Sequence, residues 1–278
     1  GLFAPTIRYF NGKFYCICTQ VDKIGNFFVS ADKPEGPWSD PVVIEGAEGI
    51  DPSLFFDDDG TCWSTGTRPA PEGCKYNGNW EIWIQKLDIN TGKLLGEPKG
   101  IWRGALKNCV WPEGPHIYKI NGKYYGFFIH MPKGKMRTEA CFVSDRIDGN
   151  YTGGDVLCSD LNNWNSGVAQ GGIVQSSDGK WYGILFQDHG ALGRIPVLVP
   201  VDFNNDFPVF GENSIAVSEC TVIENNPDYE YAPLYGNNFL DKNGKLNSWW
   251  QWNHIPEKKL ISFKENEFSI TTDKTVKI

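Results

Sequence analysis

Gly114-Pro115-His116-Ile117-Tyr118-Lys119-Ile120-Asn121-Gly122-Lys123-Tyr124-Tyr125 is the stretch on which the reading of the chain turns. An alternating segment runs into an Asn-Gly pair and leaves it through two aromatics. Asn-Gly between alternating segments is the strongest short-range sign of a β-hairpin, because a tight two-residue turn asks both central residues for positive φ. The outline occurs three more times. Ala4-Pro5-Thr6-Ile7 leads to Asn11-Gly12 and Phe14-Tyr15, and Asp51-Pro52-Ser53-Leu54 leads to Asp59-Gly60 and Trp63. Gly171-Gly172-Ile173-Val174 leads to Asp178-Gly179 and Trp181-Tyr182. With Gly172 taken as the equivalent of the prolines, the turn glycine follows at intervals of 7, 8, 7 and 7 residues.

The turn glycines are spaced 48, 62 and 57 residues apart, a period suited to the four-stranded blade of a β-propeller. Further strands are expected after each hairpin, at 26–30, 81–87 and 139–144, and no window of similar length keeps a 3.6-residue period. The prediction is an all-β chain with four blades visible in residues 1–230. From Tyr231 the texture changes. Asn237-Asn238-Phe239-Leu240, Trp249-Trp250-Gln251-Trp252-Asn253-His254 and Phe268-Ser269-Ile270 read as strands of a second unit, 231–278, taken as the truncated start of a β-sandwich.

Composition agrees. Gly and Pro together make up about 17% of the 278 residues, above an average of about 12%, and aromatics reach 14%. The formal net charge of −8 repels phosphate backbones, which argues against a nucleic-acid partner. Lys133, Lys135 and Arg137 beside Gly134 read as a solvated basic loop. No apolar run approaches the roughly 18 residues of a membrane span. The eight cysteines contain no C-x-x-C and the four histidines no metal-ligand spacing, so no metal site and no compartment are assigned. Composition leaves a neutral ligand and no assigned oligomeric state.

Propeller ligands gather where the innermost strands converge, so the residues just before each hairpin matter most. These are Phe3-Ala4, Ile50-Asp51, Glu113-Gly114 and Gln170-Gly171. Asp51 and Glu113 thus stand at nearly equivalent positions of successive repeats, and two sequence-distant acids meeting at one axis is what glycoside hydrolysis requires. Taken alone, Asp51-Pro52 is an ordinary strand-entry device. Glu113, between Pro112 and Pro115, has little use as a turn or helix residue. His116 reads equally as a supporting residue of the site or a packed core histidine. Asp57-Asp58-Asp59-Gly60 lacks the alternate-position ligands of a calcium loop and reads as a solvated hairpin tip.

Gly1-Leu2-Phe3-Ala4-Pro5-Thr6-Ile7-Arg8-Tyr9, Ile50-Asp51-Pro52-Ser53-Leu54-Phe55 and Glu113-Gly114-Pro115-His116-Ile117-Tyr118-Lys119 resemble glycoside hydrolase family 43, most of all its β-xylosidase and α-L-arabinofuranosidase members. The resemblance extends through Gly193-Arg194-Ile195-Pro196-Val197-Leu198, and Trp249–His254 is similar to the opening of an appended β-sandwich. It implies a five-bladed propeller and inverting hydrolysis of pentose-containing hemicellulose, at β-1,4-xylosidic or α-L-arabinofuranosidic bonds. Glu113 would be the general acid and Asp51 the carboxylate that orients it and raises its pKa. Arg194 would reach substrate hydroxyls, with Phe3 and Trp111 as apolar walls and His116 and Gln170 also lining the sugar site.

The family's general base is an Asp of a first blade, and none of the four repeats matches it; the chain is read as blades two to five. Gln170 stands where many relatives carry a calcium-holding His. Gln is a weaker oxygen ligand, which weakens the case for structural calcium, and the reaction itself requires no cofactor. A non-catalytic carbohydrate-binding propeller lacking the base is the alternative. A retaining, fructosidase-like propeller is a third reading, and would need a nucleophilic Asp about 5–5.5 Å from Glu113.

Overall fold

The computed structural model describes residues 1–104, 109–204, 206–222, 240, 261–264 and 267–271. The chain divides into two compact units, Gly1–Ile223 and Glu224–Ile278. No α-helix occurs among the described residues, and none is long and apolar enough to cross a membrane.

The first unit consists of four antiparallel four-stranded sheets, each following chain order. Blade one is β1 (Leu2–Phe10), β2 (Lys13–Gln20), β3 (Gly25–Ala31) and β4 (Val42–Val43). Blade two is β5 (Ile50–Phe56), β6 (Cys62–Pro69), β7 (Trp80–Asp88) and β8 (Lys93–Trp102). Blade three is β9 (Val110–Ile120), β10 (Lys123–Met131), β11 (Thr138–Ser144) and β12 (Thr152–Leu157). Blade four is β13 (Ala169–Gln175), β14 (Trp181–Asp188), β15 (Arg194–Asn204) and β16 (Phe207–Phe210). The opening strands β1, β5, β9 and β13 touch in sequence, which makes them the inner strands of a propeller.

The apolar cores lie between blades. Ile17 and Phe28 of blade one pack with Leu54, Cys62 and Leu87 of blade two. Phe55 and Ile84 of blade two meet Ile117 and Tyr124 of blade three. Tyr125, Phe127 and Cys141 of blade three meet Ile173, Leu185, Val199 and Phe210 of blade four. Each fully buried side chain of this kind contributes about 1.5–3 kcal/mol, so the blades are joined by their faces while the axis is left to polar groups.

All four hairpins form, with two corrections. Asn11-Gly12 and Asn121-Gly122 are two-residue turns with both residues at positive φ. The other two are five-residue loops, 57–61 and 176–180, in which only Gly60 and Gly179 have positive φ. Their aspartates act differently: the Asp59 Oδ1 accepts from the Thr61 N–H at 2.8 Å, and the Asp178 Oδ1 from the Lys180 N–H at 3.2 Å. The second correction concerns register. The residue equivalent to Pro5, Pro52 and Pro115 is Gly171, not Gly172, so the intervals to the turn glycine are 7, 8, 7 and 8 and follow turn length.

The acidic hairpin tip is not wholly solvated. Asp57 accepts from the Lys119 ammonium and the Tyr124 hydroxyl, both at 2.7 Å, and so ties blade two to blade three, while Asp58 is exposed. No disulfide joins the cysteines among the described residues; Cys18 is buried and Cys16 partly so. In the second unit the described residues form a hairpin of β17 (Ile261–Lys264) and β18 (Glu267–Ile270), which includes the expected strand at Phe268. The expected strands at 237–239 and 249–254, and the boundary at 230/231, lie outside the described residues.

Candidate active site

Every inner strand carries one extra residue at the same place. Where β2, β6, β10 and β14 advance two residues, their partners advance three: Phe3 to Thr6, Ile50 to Ser53, Glu113 to His116 and Ala169 to Gly172. These are β-bulges, which re-aim side chains and are frequent beside active sites. The second residue of each bulge has positive φ: Ala4 at 26°, Asp51 at 52°, Gly114 at 59° and Gln170 at 66°. Only Gly114 takes that conformation freely, and a non-glycine residue there costs about 1–3 kcal/mol. Asp51 therefore occupies the strained seat of its bulge. Glu113 sits one residue earlier in its own, opposite Ile50 rather than Asp51 in the repeat register. A second bulge in β9 puts Trp111 at φ 49°.

The bulges bring the two acids together across adjacent blades. The Gly114 N–H, next along from Glu113, donates to the Asp51 carboxylate. The Gln170 Nε2 donates to the Asp51 Oδ2 at 3.1 Å. Gln170 fits only because Gly114 lacks a side chain: a Cβ at Gly114 would lie 2.8 Å from the Gln170 Cγ. Gly171 is equally constrained, since a Cβ there would stand 1.8 Å from the Ile184 carbonyl oxygen.

Burial and proximity shift both carboxyls upward. Asp51, 6% exposed, rises from an ordinary 3.8 to about 6, because burial outweighs its hydrogen bonds and the Arg194 charge. Glu113 rises from 4.5 to about 7, first through burial and then through the Asp51 charge, with Arg194 and Arg137 pulling the other way. The sign of the stability linkage follows. The folded chain holds the Glu113 proton up to about pH 7 while the unfolded chain releases it near 4.5, so stability falls as pH rises through that window. Asp51 does the same between about pH 4 and 6. Glu113→Gln and Asp51→Asn are therefore each expected to stabilise the fold by on the order of 1–3 kcal/mol near pH 8, with the gain fading towards pH 3–4. Thermal melts across that pH range check it.

Arg194 begins β15. Its side chain is 59% exposed, its Nε donates to the Asp188 Oδ1 at 3.2 Å, and its guanidinium lies 4.6 Å from the centre of the Phe186 ring. Arg137 lies 4.3 Å from the same ring and pairs with the Asp188 Oδ2 at 2.9 Å. This corrects the reading of Arg137 as part of a solvated loop. Its side chain is only 12% exposed and its charge reaches Glu113. The signal was its place immediately before a strand, where the chain turns inward.

The Nδ1 of His116 accepts from the Arg8 Nη2 at 3.0 Å, and burial with the Arg8 charge pushes its pKa down to about 3. It is a neutral acceptor linking blade three to blade one. Phe3 is 44% exposed at the first bulge, and Trp111 is partly buried against Gly78. Among the described residues no group of three or more His, Cys, Asp or Glu side chains is placed to hold a metal ion. Gln170 donates its amide N–H to Asp51, and no step below is routed through a metal ion.

The fold is an antiparallel propeller whose inner strands bring two carboxyls together. Residues 1–208 match the family model for glycosyl hydrolases family 43, and the chain belongs to that family. It is 42% identical over 224 residues to a xylosidase/arabinosidase of Butyrivibrio fibrisolvens, an alignment covering 75% of this chain and 43% of that protein. It is 30% identical over 244 residues to a non-reducing end α-L-arabinofuranosidase of Bacteroides ovatus, covering 82% and 44%. Among solved structures, a bifunctional GH43-CE protein of Bacteroides eggerthii superimposes with a TM-score of 0.77 at 30% identity, covering all of this chain and 35% of that one. The chain thus spans under half the length of these relatives.

Proposed function

We propose that this chain forms the acid half of an inverting glycoside hydrolase site acting on pentose-containing hemicellulose, at β-1,4-xylosidic or α-L-arabinofuranosidic bonds. The observation that carries the reading is the pairing of Asp51 and Glu113 from adjacent inner strands, with Glu113 kept protonated towards pH 7 beside a carboxyl that titrates lower. The Glu113 proton passes to the glycosidic oxygen as its bond to the anomeric carbon breaks. Water attacks from the opposite face and gives up its proton to a carboxylate base about 6.5–9.5 Å across the sugar, a role assigned to no residue here. Asp51 orients Glu113 and, by repulsion, delays its ionisation. Arg194, exposed beside the pair, binds substrate hydroxyls, and Phe3 and Trp111 flank the ring. The reaction calls on no cofactor. The relatives' names, xylosidase and arabinofuranosidase, support a neutral pentose as substrate.

The test is proton NMR of the first-formed sugar when the intact protein is given aryl β-xylosides, aryl α-L-arabinofuranosides and short oligosaccharides. Release of α-xylose or β-L-arabinose before mutarotation is expected. First release of the substrate's own anomer would overturn inversion in favour of a covalent route. Binding without turnover would leave only the carbohydrate-binding propeller.

A further inference from the structure

One buried acid has no part in the chemistry just described. Glu139 is the second residue of β11 and is 0% exposed. It shares a transverse row of blade three with Glu113, both pairing with Ile129. Its side chain crosses to blade four, where the Oε2 accepts the Gln170 backbone N–H at 2.8 Å, while the Oε1 is buried without a hydrogen-bond partner. A buried carboxyl with one oxygen unpaired is costly, and the bond its other oxygen accepts from Gln170 is what offsets that cost.

Gln170 is held at three points: its stem against Gly114, its backbone N–H on Glu139 and its amide on Asp51. Its φ of 66° is a conformation that persists only where the surroundings impose it. We infer that Glu139 is a positioning residue of this site: it fixes the Gln170 backbone in the bulge, so that the Gln170 amide holds Asp51 where Asp51 can act on Glu113. The inference rests on the acid-pair reading above. What the role asks of residue 139 is an acceptor oxygen, not a charge. The titratable and charged groups facing the row are Arg137 and Cys141 at Glu139, and Asp51, Arg137 and Arg194 at Glu113. Burial pushes the Glu139 carboxyl well above its ordinary range.

The experiment compares Glu139→Gln, Glu139→Leu and Glu139→Asp in the intact protein, with Glu113→Gln as the control, reading kcat/KM against pH. Glu139→Gln keeps the acceptor and is expected to stay within about threefold of the parent with an unmoved basic limb. Glu139→Leu removes it and is expected to lose about 10–100-fold, the scale of a small misplacement of reacting groups. Its basic limb moves to lower pH, because a released Asp51 no longer raises Glu113. If the Leu variant does not fold, Glu139→Asp, one methylene short, is read in the same way. Parent-like rate and limb in the folded Leu or Asp variant would overturn the inference, as would equal damage in Glu139→Gln. If Glu113→Gln itself keeps full turnover, the acid-pair reading has failed, and this inference falls with it. An inactive Glu113→Gln beside a parent-like Glu139→Leu overturns the positioning role alone.

Discussion

Glu113→Ala in the intact protein is expected to lower kcat on xylobiose and alkyl xylosides by about 10²–10⁴-fold, while xylosides of acidic phenols lose far less. The difference comes from the leaving oxygen. An alkoxide or sugar oxygen is too basic to depart unprotonated, so the proton held by Glu113 lowers the barrier directly. A nitrophenolate departs as the anion and needs little help. The same variant should flatten the basic limb of the pH–rate profile, because the group that loses its proton near pH 7 is gone. Equal losses on both substrate classes, or an unchanged basic limb, would remove Glu113 from the acid's role. Arabinofuranosides with matched leaving groups extend the test to the second pentose.

Asp51→Asn should be nearly as damaging on unactivated substrates, for a different reason. The amide oxygen can still accept the Gly114 N–H, so the backbone bond to blade three is kept while the charge is lost. Without that charge the second-largest cause of the raised Glu113 pKa disappears, and the acid ionises at lower pH. The basic limb therefore moves towards acid, and turnover near pH 7 falls as Glu113 spends more of its time ionised. A loss of about 10²–10³-fold at neutral pH is the expected outcome, of which roughly tenfold is ionisation and recovers at lower pH while the rest is lost orientation of Glu113. A pH-independent loss would mean that Asp51 positions Glu113 without tuning it. A limb displaced to higher pH would reverse the assigned sign and reject the repulsion argument.

The blades were legible because a hairpin turn is local chemistry. Asn11-Gly12 and Asn121-Gly122 announce their turns through two residues each, and the strands around them alternate cleanly. The five-residue loops at Asp57 and Ser176 look similar in sequence but are closed by aspartate side chains and backbone bonds, which a dipeptide pattern does not report. That difference produced the one-residue slip in the fourth repeat, where Gly171-Gly172 offers no proline to fix the register. Asp51 and Glu113 stood out because each blade opening is short and carries few polar residues. Arg137 and Glu139 did not. One was masked by neighbouring lysines, and the other is a single acid in an apolar strand whose partner, Gln170, comes from the next blade. A bond between blades leaves no periodic trace.

The repeated bulge also bears on how such a site could change over time. Four blades present the same backbone socket, filled by Ala4, Asp51, Gly114 and Gln170. An alanine, an acid, a glycine and an amide share one conformation because the extra residue, not the side chain, sets it. The scaffold thus separates the address of a functional group from its identity, and a new chemistry at the axis needs only a point substitution in a socket with room for it, which Gly114, packed against Gln170, does not have.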